Sequence, residues 1–284
     1  MLPLPLRTLP LRITPLRTLH PLSPTHLRTA HIAPGTPTLF PLSQLCAPLP
    51  LSQKWFVPRE PPHLGLQLSP YLTASPSHAS FSVNLERTTP GGFTSALAPF
   101  SLFNTWAAAA LSSTPPNSQD QLYIAQTPLI SLPPSLAADI PTPPLLSEVG
   151  KGDVYGSSLW LGIPPTRTPL HRDPNPNLLV QIAGRKVVRL LAPHVGDWVH
   201  AAVFGGRGRV RGNLMGEGKE GEGVEGWIWG AWKEQGGDGG WDGVVEGFEA
   251  QLEAGDALYI PLGWWHSVRG VGEGINASVN WWFR

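Results

Sequence analysis

The stretch TPLHRDPNPN, Thr168 to Asn177, gathers polar side chains at a spacing that suits chemistry. On an extended strand alternate side chains share a face. His171 and Asp173 can therefore approach one ion together while Arg172 points away. Two ligands leave a first-row metal under-coordinated, so a third must come from elsewhere in the chain. His266 is the best candidate, because it follows the run IPLGWW and bulky aromatics at a strand end hold it in place. Two imidazoles and one carboxylate, with positions left open, can bind such a metal and leave room for reactants. Each part also has an ordinary reading. Most His-x-Asp tripeptides are surface loops, and a lone histidine is more often packed than ligating.

Lys186 sharpens the reading. In RKVVRLL, Lys186 shares a face with Val188 and Leu190, while Arg185, Val187 and Arg189 take the other. A lysine on an apolar face is costly without a partner, so it calls for an anion inside the fold or for an irregular strand. Asn177 has the parity of His171 and Asp173 and can face the same interior if no bulge intervenes. A facial set of two histidines and one carboxylate is the ligand arrangement of non-haem Fe(II) oxygen chemistry. Asn276-Ala-Ser278 matches a glycosylation sequon, with an intracellular strand as the preferred reading.

The elements that must position these residues are short. The chain has 284 residues, enough for one large β-rich domain or two small ones with a substantial core. Only 14% of residues are charged, whereas 33 are proline and 31 glycine, which disfavours long helices and suits strands joined by tight turns. Twenty basic residues balance twenty acidic ones, giving no pointer to nucleic acid or an anionic membrane. The single cysteine, Cys46, excludes an intrachain disulfide framework and a Cys-rich zinc module, and favours an intracellular setting. No apolar run is long enough to span a bilayer.

Residues 1–28 repeat PLRT-like units, with Arg7, Arg12, Arg17 and Arg28 and no acidic residue before Glu60. This reads as a low-complexity tail, either disordered or a targeting segment. The prolines argue against the amphipathic helix that a mitochondrial address needs. Cytoplasm or nucleus is the default expectation, with mitochondria as the alternative. Residues 29–149 read as folded but irregular, with helical spacing in the second half of FTSALAPFSLFNTWAAAAL and a strand at QLYIAQTPL. LSEVGKGDVYGSS, 146–158, reads as a hinge-like connection. From 158 onward strands dominate. NLLVQIAGRKVVRLLAP is expected to form two strands joined by a tight turn at Ala183–Gly184. A Gly-rich insert covers roughly 203–247 and holds Trp227, Trp229, Trp232 and Trp241, so it is not expected to be wholly disordered. FEAQLEAGDALYIPLGWWHSV then gives strand, turn, strand and a Trp-Trp-His corner, and INASVNWWFR a terminal strand.

Residues 158–284 resemble the JmjC-domain oxygenases of the cupin-like superfamily. The matching segments are SLWLG, TPLHRDPNPNLLVQIAGRKVVRLLAP, AGDALYIPLGWWHSV and SVNWWF, with LYIAQTPL extending the likeness upstream to about residue 30. The closest look is to small JmjC-only protein hydroxylases. The resemblance implies a mainly β fold, a double-stranded β-helix of jelly-roll type as core barrel 158–284, with an N-terminal mixed α/β extension inside a domain 29–284. It implies Fe(II) on His171, Asp173 and His266, with 2-oxoglutarate as cosubstrate and O2 as oxidant. Lys186, Thr168 and Tyr123 would bind the distal carboxylate of the cosubstrate, Asn177 and Asn280 would line its pocket, and Trp160 resembles a wall residue. The implied activity is hydroxylation of a protein or peptide side chain, with succinate and CO2 released. N-methyl-lysine demethylation ranks below it, and a catalytically silent, partner-binding cupin is a third reading. The long Gly-rich insert departs from the family pattern where relatives wall the substrate entrance, so substrate identity does not carry over. The C-terminal dimerisation helices of asparaginyl-hydroxylase relatives have no counterpart before Arg284, and a monomer is expected.

Overall fold

The structure, a computed structural model, describes residues 11–20, 22–112, 114, 119–204, 218–230 and 245–284. The N-terminal part contributes strands β1 (Leu11–Pro15) and β2 (Thr38–Pro41), the short pair β3 (Phe56–Pro58) and β4 (Leu66–Leu68), and the meander β5 (Ser82–Thr89), β6 (Gly92–Pro99) and β7 (Gln121–Pro128). The core follows as β8 (Val154–Gly162), β9 (Thr166–Arg172), β10 (Asn177–Ala183) and β11 (Arg185–Leu191). After an excursion it ends with β12 (Val245–Leu252), β13 (Asp256–Ile260), β14 (Trp265–Val271) and β15 (Asn276–Phe283).

Apart from the separate β3–β4 pair, these strands belong to two facing sheets, one ordered β1-β12-β11-β14-β9 and the other β2-β13-β10-β15-β8-β7-β5-β6. The eight core strands form the expected double-stranded β-helix, a jelly-roll whose interior lies between the two sheets. Every side chain of β10 is buried, because the inner face meets the opposite sheet and the outer face meets the N-terminal helices. That double coverage explains the unbroken run NLLVQIA where a half-exposed strand would alternate. β11 keeps its alternation, with Lys186, Val188 and Leu190 buried and Arg185 exposed. Leu179, Val188, Leu190, Leu252, Leu258 and Ile260 fill the space between the sheets.

Three sequence expectations change. Residues 11–28 are not tail. β1 pairs in parallel with β12, Leu11 is buried against the outer face of the smaller sheet, and Leu27 is buried in the main core. The prolines that exclude a helix are compatible with an edge strand; residues 1–10 lie outside the described residues. The expected hinge at 146–158 is the end of a helix, Leu145–Val149, followed by the start of β8, and Leu145, Leu146 and Val149 are fully packed. The turn at Ala183–Gly184 exists, but β10 and β11 do not pair; the chain changes sheets there. Gly184 has φ of 68°, and a Cβ would sit 2.9 Å from the Ile275 carbonyl oxygen, so the corner admits only glycine. Within the Gly-rich insert, Gly218–Trp229 is a helix despite its glycines, because Val224, Trp227 and Ile228, spaced i, i+3 and i+4, bury one face. Trp232 and Trp241 lie outside the described residues. The helix Phe100–Ala110 matches the spacing read from the sequence. Among the described residues, no helix is long and apolar enough to cross a membrane.

Candidate functional site

β9 and β14 are neighbours in the smaller sheet, and His171 pairs directly with His266. Asp173 follows β9 by one residue, where Pro174 and Pro176 break the strand. The ligand-type atoms of His171, Asp173 and His266 all lie within 4.8 Å of one another. His266 Nε2 is 3.6 Å from Asp173 Oδ2, and the two imidazole centroids are 4.1 Å apart. His171 Nδ1 donates to the Pro169 carbonyl at 2.8 Å, and His266 Nδ1 donates to the Trp264 carbonyl at 3.2 Å. Each ring thus spends its Nδ1 proton on the backbone and keeps the Nε2 lone pair for the shared space. Burial and the neighbouring His266 push His171 down to about 4, so this ring is neutral, the form that ligates. Asp173 is oriented in turn, accepting from Asn177 Nδ2 at 2.8 Å. Two imidazoles and an oriented carboxylate fit a first-row divalent metal.

The cluster opens into a cavity lined by Tyr123, Trp160, Thr168, Asn177, Lys186 and Asn280 besides the three clustered residues. Every residue assigned to iron or cosubstrate from the sequence therefore reaches one cavity. Lys186 is 3% exposed, and burial pushes its ammonium down to about 7. Its Nζ donates to Ser278 Oγ at 2.5 Å. Tyr123 hydrogen-bonds the Thr168 side chain, and burial, followed by Glu86, raises its phenol. Gly162 faces Tyr123 across β7–β8 and leaves room for that ring; a Cβ there would come within 2.7 Å of Tyr123 Cδ2. A relay runs along the floor. Trp160 Nε1 donates to Asn280 Oδ1 at 2.8 Å, Asn280 Nδ2 donates to Asn177 Oδ1 at 3.2 Å, and Asn177 then reaches Asp173.

Sequence reading missed Ser278, Leu179, Ile260, Val268 and Trp282 among the lining residues. Ser278 had a signal in the sequence. Asn276, Ser278 and Asn280 alternate along β15 and are all buried, so the sequon-like triplet is a polar inner face. The apolar members carried none, since an inward Leu or Val in a barrel is ordinary packing.

Residues 99–284 match the family model described as the cupin-like domain. This chain belongs to the cupin-like domain family. Among cupin-like relatives it is 29% identical over 163 residues to the protein named Lysine-specific demethylase JMJ30 of Arabidopsis thaliana, covering 56% of this chain and 33% of that one. It is 30% identical over 166 residues to Jumonji C domain-containing protein 5 of Drosophila melanogaster, covering 56% and 36%. To Lysine-specific demethylase 8 of Danio rerio it is 40% identical over 73 residues, covering 25% and 18%. The resemblance to JmjC-domain proteins read from the motifs thus holds. The chain's matching part spans about a third of the length of the first curated relatives.

Proposed function

We propose that this cupin-like chain is an Fe(II)- and 2-oxoglutarate-dependent oxygenase that hydroxylates a protein side chain. The observation that carries the reading is one cavity joining the His171, Asp173 and His266 cluster to a buried ammonium on Lys186. The two imidazole Nε2 atoms and the Asp173 carboxylate would hold iron. Bound there, iron and 2-oxoglutarate supply the oxidative chemistry: O2 is consumed, succinate and CO2 leave, and oxygen enters a substrate C–H bond.

The protein's own part is placement. Lys186 meets the distal carboxylate of the cosubstrate, and Ser278 aims its ammonium. The Thr168 and Tyr123 hydroxyls add donors at the same carboxylate. The Trp160, Asn280 and Asn177 relay fixes the face of Asp173 that ligates. Leu179, Ile260 and Val268 keep water from that end of the cavity.

A second reading, removal of N-methyl groups from lysine by the same oxidation, is favoured by relatives named lysine-specific demethylases. Protein or peptide is the substrate class in both. Succinate release with Fe(II) and 2-oxoglutarate tests the shared chemistry; His171→Ala is expected to abolish it, and turnover by that variant at the wild-type rate removes the assignment. Mass spectrometry of candidate peptides separates the readings, with a gain of oxygen for hydroxylation and a loss of methyl for demethylation. Failure of the wild-type chain to take up iron under anaerobic conditions supports a silent, partner-binding cupin instead.

A further inference from the structure

Only alternate side chains of a strand reach the cavity, so the neighbours of the clustered residues must face outward. Those neighbours are Arg172, Trp265 and Ser267. Each is held by the segment joining β11 to β12.

The helix Pro193–Phe204 supplies Asp197. Its Oδ1 accepts from Arg172 Nη1 at 2.7 Å and from Trp265 Nε1 at 3.1 Å. The Arg172 guanidinium carbon lies 5.0 Å from the Trp265 ring centroid. Gly196 lets the helix come this close, since a Cβ there would lie 2.0 Å from Trp265 Cδ1. The helix Gly218–Trp229 supplies Trp229, whose Nε1 donates to Ser267 Oγ at 2.9 Å. Ser267 is fully buried and donates onward to the Thr168 carbonyl at 3.0 Å. That carbonyl sits where the β9–β14 register slips, between the His266 and Val268 pairings. One residue further on, the Pro169 carbonyl accepts from His171 Nδ1. Trp229 is itself pinned, with the guanidinium carbons of Arg189 and Arg269 at 4.7 Å and 4.3 Å from its ring. Arg269 bonds Glu225 of the same helix at 2.8 Å, and Arg189 donates to the Ile228 carbonyl.

We propose that Asp197 and Trp229 are positioning residues for the metal centre. The two helices brace β9 and β14 from outside and set the relative placement of His171, Asp173 and His266. This rests on reading those three as metal ligands. The two helices then do more than cover an apolar sheet: their polar contacts fall on the residues interleaved with the ligands and beside the bulge that precedes His171.

The test is Co(II) binding to the full chain, followed by visible absorption, with the melting temperature of each variant measured alongside. Asp197→Ala and Trp229→Phe are each expected to weaken Co(II) affinity about tenfold and to shift the visible bands, at a temperature well below melting. Trp229→Phe keeps an aromatic ring for the arginines and removes only the N–H donor. Asp197→Glu, which keeps the acceptor, is expected to restore most of the affinity. Glu222→Ala, exposed on the same helix as Trp229, is expected to match wild type. The proposal is overturned if Asp197→Ala and Trp229→Phe both bind within about twofold of wild type with unchanged bands, while His171→Ala has lost the site. Should Trp229→Phe fail to fold, Asp197→Ala decides alone, because that side chain is 52% exposed and its removal opens no cavity. Wild-type-like Co(II) binding by His171→Ala would instead remove the metal-centre reading underneath.

Discussion

A buried ammonium held by one neutral hydroxyl lowers stability unless an anion meets it. Lys186 is in that position, with Ser278 as its hydrogen-bond partner. Its folded value, about 7, lies below the ordinary lysine value, so the unfolded chain binds the extra proton between them. Stability of the apo protein therefore rises with pH across that interval and is lower below about 7. Lys186→Met is expected to raise the melting temperature at neutral pH while weakening 2-oxoglutarate binding by roughly two orders of magnitude, as for truncating one partner of a buried charge pair. Calorimetric titration checks the second part. In wild type, the same titration is expected to show cosubstrate affinity falling as pH rises above about 7, because the binding-competent ammonium is titrated away. Gly162→Ala tests the cavity wall. The added methyl must displace both Tyr123 and Thr166, costing about 1–3 kcal/mol of stability and raising KM for 2-oxoglutarate.

At the level of elements, the short N-terminal helices Leu51–Lys54 and Pro70–Thr73 need tying together, and Asp139 provides the tie. Buried at 1% exposure, it accepts from Trp55 Nε1 at 2.9 Å, Tyr71 Oη at 2.8 Å and Lys54 Nζ at 2.5 Å. Burial alone would raise its carboxyl, but these hydrogen bonds outweigh burial and hold it below the usual range. Its contribution is therefore present above the ordinary aspartate value and lost as pH falls through the folded one. Asp139→Ala is expected to cost about 2 kcal/mol in urea unfolding at neutral pH, because it strands the buried Trp55 N–H while the exposed Lys54 and Tyr71 turn to water. An unchanged midpoint would mean that the node holds nothing together.

On the scale of the whole molecule, β1 closes the open edge of β12 and carries Leu11 onto the packed outer face, and Leu19 reaches the second sheet through a backbone hydrogen bond to Leu39. Removing residues 1–20 is expected to lower the melting temperature by several degrees and to promote association through the uncovered edge. A truncated protein with unchanged melting and solution size would return these residues to the status of a tail.

The sequence by itself determined the strand-rich class, the inward face shared by His171 and Asp173, and the inward face of Lys186 on β11. The period of two is a local property, so Lys186 declared its inward face without any knowledge of its surroundings. Glycine and proline likewise marked the breaks between strands. Other features were decided only by the tertiary structure. One is that β10 and β11 part at Gly184 to join different sheets, where a hairpin was the local reading. A second is that residues 11–15 of the Pro-rich N-terminal stretch find a strand partner more than 200 positions away. A third is that a glycine-laden helix survives by burying Val224, Trp227 and Ile228. Strand pairing, helix docking and the convergence of His171 with His266 are contacts between distant segments. Their free energy comes from surfaces that the chain brings together only on folding, and no short window of sequence contains both partners.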